Sequence, residues 1–180
     1  MIHSITMHPD DEKLPLVNPR GEVVGEAFRR QCHQGPGLLH PVVHLHVINH
    51  AGEIYLQKRS ARKDVFPRRW DTAVGGHIAC GESIEQALKR EAQEEIGLSE
   101  FIPKALGTHT IDTPHESEFV YVFVTRHDTP LRPNPDELED GRFWTRDAIE
   151  ASLGTGVFTP NFEKDYELLK RAGTLQPAHL

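Results

Sequence analysis

Gly76-His77-Ile78-Ala79-Cys80-Gly81-Glu82, continuing through Ser83 to Arg90-Glu91-Ala92-Gln93-Glu94-Glu95-Ile96-Gly97-Leu98, decides how this chain is read. Ser83 followed by Gln86 forms a capping box. Ile84, Leu88, Ala92 and Ile96 recur every four residues, and Gly97 supplies a C-terminal stop. The spacing therefore predicts a helix over Ile84–Ile96. Glu91, Glu94 and Glu95 stand at i, i+3 and i+4, which makes them neighbours on one helical face. Like charges at that spacing repel, and Arg90 alone cannot neutralise three carboxylates. A hard divalent cation can, and Mg²⁺ favours a few carboxylates together with substrate phosphates.

The bulk of the chain fits such a site. Its 180 residues suit one domain with a sizeable core. The apolar fraction of 37% and charged fraction of 26% are those of an ordinary globular protein. A formal net charge of −7 offers nothing global to nucleic acid or to an anionic membrane. No stretch is apolar enough to span a bilayer, and the N-terminus lacks the pattern of a secretory signal. Cys32 and Cys80 are too few for a disulfide framework and fit no zinc motif, so a cytoplasmic location is expected.

Outward from the helix, residues 1–12 read as a mobile tail and residues 13–180 as the single domain. An N-terminal hairpin is expected around Asn18-Pro19-Arg20-Gly21, then an irregular segment from Arg29 to His40. Strands are expected over Val42–Ile48, Ile54–Lys58, Asp71–Val74, Ile102–Ile111, Phe119–Thr125 and Gly141–Trp144. Helices are expected over Asp147–Leu153 and Asn161–Arg171, the latter with Phe162, Tyr166 and Leu169 as its apolar face. The layout is a mixed sheet with helices on its faces, α/β or α+β. Lys58, Arg59, Arg62, Lys63 and Arg68 form a dense basic segment, a candidate phosphate-binding wall. Phe66, Trp70 and Trp144 are candidates to stack on a substrate. His44, His46 and His50 are read as structural or exposed.

The central stretch resembles the Nudix box, Gly-x5-Glu-x7-Arg-Glu-U-x-Glu-Glu-x-Gly-U with U aliphatic. Gly76, Glu82, Arg90, Glu91, Glu94, Glu95, Gly97 and Leu98 meet it, and Ala92 is its one departure. The resemblance implies a Nudix-type α/β/α sandwich and hydrolysis of a diphosphate linked to another group. It implies that Glu91, Glu94 and Glu95 ligate or adjoin Mg²⁺ or Mn²⁺. Arg90 would hold the glutamates by ion pairs, and Glu82 would support the loop or a metal.

The wider chain is similar to the type-1 isopentenyl diphosphate isomerase branch of that fold. The similarity rests on Val17–Gly25, on His33 with His40, on Pro67-Arg68-Arg69-Trp70, on His77, on Glu116-x-Glu118, and on Phe143-Trp144 with Phe158-Thr159-Pro160. It implies a second metal site at His33, His40, His77, Glu116 and Glu118, suited to zinc, manganese or iron. The isomerase also carries a cysteine directly before the Gly-His pair, as one of its two acid-base groups. Gly75 stands there in this chain and has no proton to give.

The leading expectation is a metal-dependent pyrophosphohydrolase acting on a nucleoside-diphosphate-linked or other small phosphorylated metabolite. An isoprenoid diphosphate isomerase with a rearranged acid is the alternative, and a non-catalytic diphosphate-binding module is the third reading. The partners expected are a small diphosphate substrate, no membrane and no extended nucleic acid, with a homodimer left open.

Overall fold

The computed structural model describes residues 11–63 and 65–176. The described residues form, in chain order, β1 (Lys13–Val17), β2 (Val23–Phe28), α1 (Arg29–Cys32), β3 (Leu39–Ile48), β4 (Ile54–Arg59), β5 (Trp70–Thr72) and β6 (Val74–His77). They continue with α2 (Ile84–Ile96), β7 (Lys104–Asp112), β8 (Ser117–Arg126), β9 (Leu138–Trp144), α3 (Arg146–Ser152) and α4 (Pro160–Arg171). The tail expected over residues 1–12 lies mostly outside the described residues. Its last two members are held in place. Glu12 accepts the Arg29 backbone N–H at 2.8 Å, and Asp11 pairs with Arg30.

β3 is the axis of the sheet. It is buried from His40 to Ile48 and runs parallel to β8 along its whole length, from Leu39 opposite Ser117 to Ile48 opposite Arg126. Its other edge is shared. Near the turn it pairs with β4, Val47 opposite Tyr55, and farther back with β6, Val42 opposite His77. β7 extends the sheet antiparallel to β8, while β5 and β9 both pair with β4. β1 and β2 form a separate two-stranded hairpin, as the turn signal implied.

The period of two along β3 divides the core. Val43, Leu45 and Val47 pack with Leu88, Ala92 and Ile96 of α2. Ile48 packs on the other side with Phe162, Tyr166 and Leu169 of α4, joined by Ile54, Leu56 and Trp70. The two long helices thus cover different faces of a mixed sheet, the expected α/β/α sandwich. Caps fix their starts: Ser83 Oγ accepts from Gln86 N, and Thr159 Oγ1 accepts from Phe162 N, each at 3.2 Å. Gly97 ends α2 in the left-handed conformation at φ 66°. Among the described residues, no helix is long and apolar enough to cross a membrane.

Several boundaries differ from expectation. The strand expected over Asp71–Val74 is two strands, since the chain leaves β4 at Thr72 and joins β3 at Val74. β6 runs on through Gly75 and Gly76 to His77, beyond the expected end at Val74. The segment from Arg29 contains the short helix α1. β7 starts at Lys104 because Pro103, with no N–H, cannot enter the ladder.

Candidate active site

Between α2, β3, β6 and the segment that follows β4 lies a cleft of about 430 Å³. It gathers Glu91, Glu94 and Glu95 from α2, His77 and Gly76 from β6, and Glu116 and Glu118 from the start of β8. Arg59, Arg62 and Lys63 come from the basic segment, and Arg29 and His33 from α1 and its C-terminal end.

Arg90 ties the loop to the helix. Its Nε and Nη2 donate to the two Glu82 carboxylate oxygens at 2.8 and 2.9 Å, a bidentate pair. The same guanidinium donates to Glu91 Oε1 at 2.6 Å and to the His77 carbonyl at 3.1 Å, and more loosely to Glu94 at 3.4 Å. The Arg90 hydrogen bonds hold the Glu82 carboxyl below the usual range. Glu91 sits directly over Gly76. A Cβ at that glycine would lie 2.1 Å from Glu91 Cδ, so only glycine leaves room for the carboxylate.

The three box glutamates have different surroundings. Glu94 has a half-exposed side chain. Burial pushes Glu91 up to about 7, with Glu94 and Glu137 adding to the effect against Arg90. Glu95 is buried, and burial with Glu91 raises it to about 8. Its Oε2 accepts from Gly75 N at 3.0 Å and from Gln57 Nε2 at 3.3 Å, so this carboxylate also ties α2 to β6 and β4.

A second cluster stands beside the first. One ligand atom each of His33, His40, His77 and Glu116 lies within 4.8 Å of all the others. His33 Nε2 is 3.2 Å from His77 Nε2 and 3.1 Å from Glu116 Oε2, and His40 Nε2 is 3.8 Å from that oxygen. Ligands about 2.0–2.1 Å from a tetrahedral metal stand about 3.3 Å apart, so the spacing fits. His40 Nδ1 bonds the Leu38 carbonyl at 3.0 Å, which turns a bare Nε2 into the cluster. That nitrogen is buried without a hydrogen-bond partner among the described residues. A buried orphan of this kind is costly, and ligation satisfies it. Burial lowers the pKa of His40 and, with His40 and Arg29 nearby, takes His77 well below the usual range. Neutral imidazoles are what a metal needs. The donor set therefore fits zinc, manganese or iron. Glu118 lines the same cleft but stands outside this cluster, where its Oε2 accepts from Asn161 Nδ2 at 2.5 Å. Burial and Glu116 raise it to about 8.

The basic segment divides. Arg59, Arg62 and Lys63 line the cleft; Lys58 and Arg68 do not, and both turn to Glu139, at 3.4 and 3.8 Å. Arg59 pairs with Asp71 at 3.2 Å and Lys63 with Glu137 at 3.4 Å. Trp144 is also away from the cleft. Its ring packs edge-on to Trp70 and Phe158, 5.1 and 5.4 Å between centroids, in the core beneath α4. Of the three aromatic candidates only Phe66 lines the cleft, at a positive φ of 47°. Sequence reasoning passed over Glu137, Asn161 and Gln57, and read His44, which lines the cleft, as structural or exposed. Only His44 had left a signal, as a polar residue alternating with His46 through an apolar strand.

Residues 38–164 match the NUDIX domain family. An uncharacterized Nudix hydrolase of Listeria monocytogenes is 33% identical over 155 residues, 84% of this chain and 90% of that protein. An isopentenyl-diphosphate Delta-isomerase of Streptomyces avermitilis is 33% identical over 138 residues, 73% of this chain and 70% of that protein. The crystal structure of DR0079 from Deinococcus radiodurans superposes with a TM-score of 0.74 at 29% identity, over 89% of this chain and 98% of that one. The chain belongs to the Nudix family and has the Nudix hydrolase fold.

Two outcomes follow from the geometry. Gly76→Ala drives Glu91 from its seat and is expected to weaken any divalent cation held at the box glutamates by about 10–100-fold, read by calorimetry with Mn²⁺ as the probe. Stability without metal falls as pH rises from about 6.5 to 9. His44, Glu95 and Glu118 have folded pKa values of about 9, 8 and 8, above their unfolded values, so the folded state binds more protons across that window. His40 and His77, lowered on folding, oppose this slope only near the start of the window, since the unfolded histidines lose their protons within about one pH unit above 6.5. Denaturant titrations at pH 6.5 and 9 should show the loss, and Mg²⁺ should reduce it.

Proposed function

We propose that this Nudix enzyme hydrolyses the diphosphate bond of a small phosphorylated metabolite, such as a nucleoside-diphosphate-linked compound, with Mg²⁺ or Mn²⁺. One observation carries the reading. Partly buried Glu91 and exposed Glu94 share a cleft with Arg59, Arg62 and Lys63, which suits a group both polyanionic and metal-bound. A divalent cation held by Glu91 and Glu94, with Glu95 beside them, would neutralise phosphoryl oxygens and lower the pKa of a water.

The chain's own residues do the remaining work. Arg59, Arg62 and Lys63 donate to phosphate oxygens and orient the substrate. Glu91 or Glu94 takes the proton of the attacking water as its oxygen bonds to phosphorus and the bridging P–O bond breaks. Arg90 and Glu82 keep loop and helix in register, which fixes the glutamates relative to Gly76. The walls carry few apolar side chains, chiefly Val42, Val65, Phe66 and Leu138, a lining suited to a polar substrate more than to a prenyl chain.

A second reading, isomerisation of a five-carbon diphosphate, is favoured by the convergence of His33, His40, His77 and Glu116. Gly75 counts against it, since no acid stands at that position.

A panel of diphosphate compounds with Mg²⁺ or Mn²⁺ separates the readings. Phosphate or nucleotide release is expected, falling by about 100-fold or more in Glu94→Gln or Glu91→Gln. Isopentenyl diphosphate in deuterated water is expected to take up no deuterium. Deuterium uptake without phosphate release, or hydrolysis unchanged in both variants, contradicts the proposal.

A further inference from the structure

Beneath the cleft, β3 and α4 share a polar cluster that the hydrolytic reading does not use. Asp165 is fully buried on α4, yet it falls in the apolar stripe with Phe162, Tyr166 and Leu169. Three imidazoles bond its carboxylate. His44 Nδ1 lies 2.6 Å and His46 Nε2 3.0 Å from Oδ2, and His109 Nε2 lies 2.6 Å from Oδ1. Each of these nitrogens must donate, because the ionised carboxylate can only accept.

The three histidines differ in what their other nitrogen meets. His46 Nδ1 is 3.3 Å from Thr72 Oγ1, within the core. His109 Nδ1 is buried. His44 alone of the three lines the cleft. With Nδ1 bound to Asp165, its Nε2 points away from α4, toward β6. There it meets Gly75, its direct cross-strand partner. A Cβ at Gly75 would lie 3.4 Å from His44 Cδ2 and 3.6 Å from Nε2, so the glycine leaves the ring edge uncovered toward the cleft.

We propose that His44 contacts the substrate, donating a hydrogen bond from Nε2–H on the cleft floor to a diphosphate oxygen, with Asp165 as its positioning residue. The proposal rests on the hydrolytic reading for the presence of a diphosphate, and it adds a fixed cation to the floor. His46 and His109 already bind α4 to the sheet, so a structural role alone does not call for a third imidazole with one nitrogen turned toward the cleft. Charge balance gives it a use. Several carboxyl groups share the cleft, and whichever of them ionise repel an incoming diphosphate; a cation held on the floor offsets part of that repulsion.

The electrostatics agree. Burial works against a charged imidazole, but the Asp165 carboxylate, with Glu118 and Asp71 behind it, carries His44 up to about 9. Burial likewise opposes the Asp165 charge, while His44, His109 and His46 hold its carboxyl well below the usual range. The charged groups around His44 are thus Asp165 of α4, Glu118 of β8 and Asp71 of β5. His46 of its own strand and His109 of β7 join it on Asp165, and β6 opposes it with glycine.

Imidazole NMR of the whole chain, titrated with inorganic pyrophosphate and Mg²⁺, tests this. The His44 ring signals should shift on binding, and His44→Gln should weaken pyrophosphate binding by about 10–100-fold. Gly75→Ala is the second variant and carries the test should His44→Gln fail to fold. It keeps the backbone N–H to Glu95 and the His44–Asp165 pair but covers the ring edge. Weakened binding in Gly75→Ala, with His44 still charged, supports direct contact over a structural role. Pyrophosphate binding that leaves the His44 signals unmoved, or equal affinity in the folded variants, overturns this inference and leaves the hydrolytic reading standing. A wild-type protein that does not bind pyrophosphate overturns both.

Discussion

Burying several carboxylates within one cleft is the constraint on which the rest of the structure depends. Glu91, Glu95, Glu116 and Glu118 are all withdrawn from water to a degree that raises their pKa values. Desolvated like charges oppose folding unless each finds a donor, a proton or a cation. The chain supplies donors sparingly. Glu91 has Arg90, Glu95 has a backbone N–H and an amide, and Glu118 has an amide. What the donors leave uncompensated is met by protons, on carboxyl groups directed into the cleft opposite Arg59, Arg62 and Lys63, until a cation displaces them. A fold selected for stability alone would put apolar side chains there.

β3 reconciles this cleft with a stable core. Its odd-numbered residues Val43, Leu45 and Val47 support α2, which carries the box glutamates. On its other face His44 and His46 join Asp165 of α4. His40, near its start, supplies the bare imidazole nitrogen of the second cluster. A shift of β3 by one residue would exchange its two faces and dismantle both the core and the site. The parallel pairing with β8 locks this register and brings Glu116 and Glu118 beside the histidines.

Local patterns in the sequence were enough to read α2 from cap to stop, and with it the box. Its signals lie within a few residues of one another: a Ser-Gln box, a four-residue apolar repeat and a terminal glycine. The histidine cluster was legible only through family resemblance, because its four members come from four separate places in the chain: the end of α1, β3, β6 and the turn before β8. Lys58, Arg68 and Trp144 show the limit of composition. A basic run says nothing about which members face inward, and here Glu139 on β9 draws Lys58 and Arg68 away from the cleft. Asp165 was legible in principle, as an acid three residues after Phe162 on an apolar stripe. Its partners on β3 and β7 are more than fifty positions away, and no local rule connects them.

Counting the protons released when Mn²⁺ binds tests the central claim most directly. Calorimetry at pH 7 in buffers of different ionisation enthalpy gives that number. Glu91 has a pKa of about 7 and Glu95 of about 8, so a cation bound among them must displace protons. Measurable proton release is expected, and it should shrink in Glu91→Gln. Mn²⁺ binding with no proton release, or no binding at all, would contradict the claim.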